Sequence, residues 1–212
     1  MAVYVFTLGF HADHVIRRLS RARDVDGVYV FTGRPAVRAV YNAFQEIAAF
    51  CEKASLPTPK LYELSIEDSG AAVYTIVSLL KDAGHIVADV GGGLRGLVAI
   101  TVSALFILSR WSSIDLYVYG EREDAPETHI PIPALYQIVT KGFSEEKIKI
   151  LEILNGVDEM DIGSIAGIIG RSERTVRAHL SELKRVCVVV STSGGKLALT
   201  SWGRIVVALS KI

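Results

Sequence analysis

The stretch Asp89-Val90-Gly91-Gly92-Gly93-Leu94-Arg95-Gly96 decides the fold of this chain. It follows an apolar run, His85 to Val90, whose length suits a buried strand. It opens a long apolar segment, Leu94 to Leu108, that suits a helix. A strand that ends in glycines and turns straight into a helix brings bare backbone N–H groups to a helix N-terminus, a geometry that binds phosphate. Arg95 strengthens that reading, because a cation in a first helical turn opposes the helix dipole unless an anion compensates it. The plainer alternative is that the glycines only permit a tight turn and close helix packing.

Working outward, the same alternation recurs. Val3 to Leu8 and Gly27 to Phe31 read as strands around the Arg-rich segment Val15 to Arg23. Pro35 is expected to start a helix on which Val37, Val40, Tyr41, Phe44, Ile47, Ala48 and Cys51 recur at helical spacing. Leu61 to Ile66 alternates as a strand, Ala71 to Leu80 is a third helix, and Ile114 to Tyr119 is a strand after the long apolar helix. The order βαβαβαβαβ predicts an α/β fold, a Rossmann-like, mostly parallel sheet flanked by helices, over residues 1–132. Glu121 to Glu127 reads as a polar turn and Thr128 to Ile132 as a returning hairpin strand. Ala134 to Thr140 is expected to form a linker helix within 133–142, because Gly142 punctuates the chain before a second unit, 143–212. The helix Leu94 to Leu108 is apolar nearly all round, and a helix without a solvated face is expected to be covered in a dimer.

The second unit reads as three helices and a wing. Ser144 with Glu145 and Glu146 opens a helix to Leu154, Ile162 to Ile169 is a short second helix, Gly170 and Arg171 turn, and Ser172 caps a third that runs to about Val186. Val188 to Thr192 and Lys196 to Thr200, joined by Ser193-Gly194-Gly195, form a hairpin, which gives a small winged helix-turn-helix domain. On the third helix Arg174, Arg177, Ala178, Ser181, Lys184 and Arg185 share one arc, while Val176, Leu180, Leu183 and Cys187 lie opposite. A lone amphipathic helix would be read as a solvated face; the turn, cap and wing around this one make it a DNA-recognition element. Arg174 and Arg177, near the helix N-terminus, are candidates for base edges or phosphates, and Arg171, Ser172, Thr175 and Ser181 are further DNA-binding candidates. Lys184, Arg185 and the wing Lys196 are candidates for phosphate.

Composition agrees. The 212 residues are half apolar and carry no net charge, which argues against a basic coat over the whole chain. Residues 1–140 hold 12 basic and 15 acidic side chains, whereas from Ile162 onward there are 8 basic and 2 acidic, so the basic character is local to the recognition helix and wing. Cys51 and Cys187 stand far apart without a CxxC partner, which indicates neither a zinc module nor a disulfide framework. The start of the chain lacks a signal-peptide layout and the longest apolar run falls short of a bilayer span, so a cytoplasmic protein is expected.

At the other end of the first strand lies Thr7-Leu8-Gly9-Phe10. Ligands of open parallel sheets bind outside the carboxyl ends of the strands, so Thr7, Leu8, Gly9, Phe10 and Arg34 are expected to line one crevice with Asp89, Gly91, Gly92, Gly93, Leu94 and Arg95. Gly91, Gly93 and Gly96 formally satisfy G-x-G-x-x-G, which opens a dinucleotide (NADH) reading. The glycines follow the fourth strand, however, and not the first, and Asp115 begins the next strand where an acid should end one. His11, Asp13 and His14 have the residue types of metal ligands, but spacing favours a solvated helix start and no metal is assigned. No nucleophile elbow, phosphate-loop lysine or paired acids are present, so no catalytic residue is assigned.

These two ends together resemble the CRISPR-associated transcriptional regulators of archaea, particularly those of type I-A loci. Such proteins join a CARF domain (CRISPR-associated Rossmann fold) to a winged helix-turn-helix. The points of resemblance are the Thr7-Leu8-Gly9-Phe10 turn and Asp89-x-x-x-Gly93-x-Arg95, which look like the two ligand-binding motifs of CARF domains. The resemblance implies a homodimer formed through the helix after the second motif. It also implies an effector, cyclic oligoadenylate and commonly cyclic tetra-adenylate, in place of a cofactor, and double-stranded promoter DNA as partner. Gly91 departs from the pattern, since many CARF domains carry Ser or Thr there, which puts one hydroxyl contact in question. Some CARF domains resemble ring nucleases that cleave their own ligand, and that alternative stands beside the dinucleotide-sensing repressor.

Overall fold

Val5, Phe6 and Thr7 are each fully buried in succession, which places their strand in the middle of a sheet covered on both faces. The computed structural model, which describes residues 2–119 and 127–210, builds that sheet around β1 (Ala2–Thr7). After it come α1 (Asp13–Leu19), β2 (Val25–Gly33), α2 (Arg38–Lys53), β3 (Lys60–Leu64), α3 (Ser69–Leu80), β4 (His85–Asp89), α4 (Arg95–Leu108), β5 (Ser113–Val118) and β6 (Thr128–Ile130). The strand order is β3-β2-β1-β4-β5-β6, with the first five parallel and β6 antiparallel on β5. The chain therefore runs outward from β1 to β3, then crosses back to β4 and continues the other way. With right-handed crossovers this sends α1 and α2 to one face and α3 and α4 to the other. Val15, Leu19, Val40, Ala43 and Ile47 pack with Tyr4, Phe6, Val28 and Val30 on the first face, and α3 packs along α4. The α/β, mostly parallel Rossmann-like architecture read from the sequence is the one observed.

Two local expectations change. Proline 35 does not start α2, which begins at Arg38 after an extended Val37. Glu63 accepts from Ala36 N at 3.0 Å, and Arg34 N donates to Leu64 O at 2.9 Å, so residues 34–37 continue along the end of β3 before the helix can form. The strand β6 stops at Ile130, since Pro131 has no N–H for the ladder. On helix α4 Leu97, Ile100, Thr101, Ala104, Leu105 and Leu108 are buried, whereas Ala99, Ser103 and Ile107 are exposed in the single chain. Most of the polar turn assigned to Glu121–Glu127 lies outside the described residues.

Contacts divide the chain into a unit ending at Ile132 and another beginning at Pro133. The second opens with α5 (Ile132–Tyr136), which tightens no further but widens into a π turn over Gln137–Lys141 and stops at Gly142, whose φ is 62°. Next come α6 (Glu145–Asn155), α7 (Ile162–Ile169), α8 (Glu173–Arg185), the antiparallel pair β7 (Val189–Ser191) and β8 (Leu197–Leu199), and α9 (Ser201–Leu209). Ser144 stands at the α6 N-cap but makes no side-chain capping bond. Helix α9 goes beyond the three helices and wing expected; Thr200 caps it by accepting from Gly203 N at 3.1 Å, and Val206 and Val207 join the core of this unit. Among the described residues no helix is long and apolar enough to cross a membrane.

Candidate functional site

The strand order reverses between β1 and β4, so the chain leaves their carboxyl ends in opposite directions and a crevice opens there. The two loops that flank it are fastened together. Thr7 Oγ1 donates to Gly92 O at 2.6 Å, and His14 Nε2 lies 3.0 Å from Thr7 O. A carbonyl only accepts, so Nε2 carries the proton. A Cβ on Gly92 would lie 2.5 Å from the His14 ring and 2.9 Å from Thr7 O, so only glycine passes between them.

Beneath the loop is a polar network. Asp89, 1 % exposed, accepts from Gly91 N at 3.0 Å through one carboxylate oxygen and faces the Arg18 guanidinium at 3.4 Å with the other. Arg18 lies over the Tyr117 ring, 3.8 Å from its centroid, and also pairs with Glu127. Burial pushes the Asp89 carboxyl above its ordinary range, against the pull of His14, the Gly91 N–H and Arg18. Burial likewise pushes His14 below its ordinary value, opposed by the nearby Asp89. A neutral His14 suits its role of donating to the Thr7 carbonyl. The solvated helix start expected from the sequence therefore does not include His14, which is 7 % exposed, while His11 and Asp13 are in solvent. No group of three metal-binding side chains occurs among the described residues.

These contacts sort the expected ligand residues. Thr7 and Asp89 are buried and shape the loop from behind, and the Gly91 N–H is engaged by Asp89. Leu8, Gly9, Phe10, Gly93 and Leu94 line a cavity of about 310 Å³ together with Thr32, Gly33, Pro35, Val37 and Val40. Phe10 and Leu94 are its exposed apolar lips, at 63 % and 59 %. Arg95 is exposed at the first position of α4, whose N-cap, Leu94, offers no side-chain acceptor to the helix amides. Gly92, Gly93 and this first turn therefore present the open donors. Arg34 is set apart: its guanidinium reaches Glu63 O at 3.4 Å and lines a neighbouring depression beside β3 and α3. At Gly91 a Cβ would stand 2.7 Å from Tyr119 Cβ, so Tyr119 leaves no room there for a larger residue. The sequence points to His14 only as a metal-ligand type at a solvated helix start and gives no role to Arg18 or Tyr119; the i,i+4 spacing of His14 and Arg18, which puts both on one side of a short helix, is the signal that links the first two.

In the second unit α7 ends on left-handed Gly170 (φ 69°), and Ser172 caps α8 by accepting from Thr175 N at 3.2 Å. Val176, Leu180 and Leu183 are buried, and Arg174, Arg177, Ala178, Ser181, Lys184 and Arg185 are exposed. Cys187 falls outside the apolar stripe proposed for it, beyond the helix end with φ 60°. Several of the cations already have carboxylate or hydroxyl partners. Arg171 pairs with Glu146 at 2.6 Å, Arg177 with Glu173 at 3.2 Å and Lys196 with Glu159 at 2.8 Å, while Lys184 donates to Ser191 Oγ at 2.6 Å. Glu146 also takes His179, at 3.1 Å, and its carboxyl is held below the ordinary range, by Arg171 first. Ser172 and Thr175 are bound to each other at the cap.

Comparison with known proteins gives this geometry a family. Residues 2–133 match the model of the Csa3 CRISPR-associated Rossmann-like domain. The whole chain aligns, at 23 % identity over 215 residues, with 90 % of the CRISPR locus-related candidate DNA-binding protein Csa3 of Saccharolobus solfataricus. Among solved structures it is similar to Can2 of Sulfobacillus thermosulfidooxidans in complex with cyclic tetra-adenylate, at 9 % identity and a TM-score of 0.43. That alignment covers 98 % of this chain and 64 % of that one, so the chain spans about two thirds of that structure's length. With the matched region coinciding with the sheet and both loops of the crevice, the chain belongs to the Csa3 CRISPR-associated Rossmann-like domain family.

Proposed function

We propose that this protein is a dimeric, ligand-responsive transcription regulator of CRISPR-associated loci, in which the crevice of the first unit takes cyclic oligoadenylate, with cyclic tetra-adenylate the first choice, and the second unit binds promoter DNA as a winged helix-turn-helix. The observation that carries the ligand assignment is the glycine loop itself. Its backbone is fixed from below by Thr7, His14 and Asp89, so that the amides of Gly92, Gly93 and the first turn of α4, with Arg95 exposed among them, are left open beside an apolar cavity. A phosphodiester ring with apolar base faces matches that combination of open donors and apolar walls. The exposed Ala99, Ser103 and Ile107 of α4 supply a face for a second copy. In this reading no residue is catalytic, and the protein works by binding in the cytoplasm. A dinucleotide reading fares worse: β2 ends in Thr32-Gly33 and is followed by Arg34, without the acid that takes a ribose.

Titration calorimetry with cyclic tetra-adenylate tests the assignment. Wild type should bind, and Arg95→Ala should bind about ten- to a hundredfold more weakly, the usual effect of losing a charge-assisted pair. Equal affinity of the two proteins contradicts the role of Arg95. Absence of binding by wild type contradicts the ligand. Chromatography of the recovered ligand should return it intact; linear products would make the first unit a ring nuclease.

A further inference from the structure

The exposed arc of α8 carries Arg174, Arg177, Lys184 and Arg185, and beside them one carboxylate, Glu173. The other acid of this helix, Glu182, pairs with Lys147 of α6. Glu173 is the first residue of α8, its side chain is 56 % exposed, and its Oε2 accepts from Arg177 Nη2 at 3.2 Å. On a surface that meets phosphates a carboxylate repels them, so its position among four cations is unfavourable for backbone contacts. The N-terminal residues of a recognition helix, however, reach base edges and not the backbone. Major-groove base edges present hydrogen-bond donors at cytosine N4 and adenine N6. Adenine also presents its N7 acceptor, which an ionised carboxylate cannot satisfy because it has no proton to donate.

We propose that Glu173 selects a cytosine, accepting a hydrogen bond from its exocyclic amine, next to a guanine whose O6 and N7 take the Arg177 guanidinium. The inference rests on the reading of α8 as a recognition helix. The 3.2 Å pair in the free protein holds the two tips side by side, which places the two bases next to each other in the site. A carboxylate has more acceptor positions than the one that Arg177 occupies, so the pair does not exhaust its capacity to accept from a base.

The test is selection of bound sites from randomised duplexes by the full chain. Wild type should recover a cytosine beside a guanine in each half-site. Glu173→Gln should keep the guanine and exchange the cytosine for adenine, because an amide offers both a donor and an acceptor, with discrimination at that position changing by about five- to a hundredfold. A helix-dipole or salt-bridge role for Glu173 would alter stability without exchanging one base for another, and circular dichroism confirms the fold of the variant. A wild-type motif that Glu173→Gln leaves unchanged overturns the assignment of Glu173 while the DNA reading stands. A wild type without any sequence preference overturns both.

Discussion

In the crevice at the ends of β1 and β4, an anion would meet backbone amides held in place by residues that scarcely reach solvent. Along α8 it would meet side chains that hang in solvent. Thr7 and Asp89 are 0 % and 1 % exposed, whereas the side chains of Arg177 and Arg171 are 64 % and 56 % exposed. The first arrangement is preorganised: removing one member unsettles the others, because each polar group is out of water and depends on its partner. The second is adjustable. Its cations rest on Glu146, Glu173 and Glu159 and can exchange those carboxylates for phosphates at little cost, as exposed pairs in high dielectric do.

Asp89→Ala should therefore have the largest effect. It leaves the Gly91 N–H without its acceptor and Arg18 with Glu127 as its carboxylate and the Tyr117 ring, so a loss of about 3 kcal/mol of stability is expected, at the lower end of what breaking a buried pair costs. Denaturant unfolding by circular dichroism measures it. A midpoint equal to wild type would mean that the network is incidental to the loop.

Substitutions on the exposed side should act on DNA affinity and not on folding. Arg177→Ala should cost about 1 to 3 kcal/mol of binding and relax preference at one position in each half-site, while Lys196→Ala should weaken all sequences alike and lower the salt slope by about one unit per half-site. Competition binding over a salt series separates the two. If Arg177→Ala left affinity and preference untouched, the arc would be a solvated face only.

The two regions also differ in sign with pH. The carboxyl of Glu146 is held below its ordinary value of 4.5 by Arg171 and His179, so it adds stability above that value, which is lost as pH falls through the folded value. Asp89 runs the other way. Burial raises it above 3.8, so its contribution grows as pH falls through its folded value. Glu146→Gln should thus flatten the acid limb of a stability–pH profile below about pH 4.5, a small effect beside that of Asp89→Ala. Superimposable profiles for wild type and Glu146→Gln would remove this contrast.

What the sequence disclosed follows from how local each cause is. The strand–glycine–helix junction at 85–96 and the Gly170, Ser172 and Val176-Leu180-Leu183 pattern act over a few residues, and both were legible. The support beneath the glycine loop was not, because Thr7 and Gly92 are 85 positions apart and Arg18 and Asp89 71 apart. His14 looked like a solvated residue because only the fold shows that β1 and the Gly92 turn close over it. Arg34 was expected in the crevice because it follows β2; the Glu63 carbonyl on the neighbouring strand draws it away. Helix α9 has a cap in Thr200 and a helical repeat in Trp202, Val206 and Leu209, but it follows the wing, where a three-helix-and-wing unit is already complete.

The central claim is that the rigid crevice and the adjustable arc belong to one device, so that occupying the first changes the second. Fluorescence anisotropy of a labelled promoter duplex, titrated with the full chain with and without saturating cyclic tetra-adenylate, tests it directly. A shift in DNA affinity of about five- to 150-fold, in either direction, is the result expected of coupled sites. Identical DNA affinities, with cyclic tetra-adenylate shown to be bound, would contradict the account.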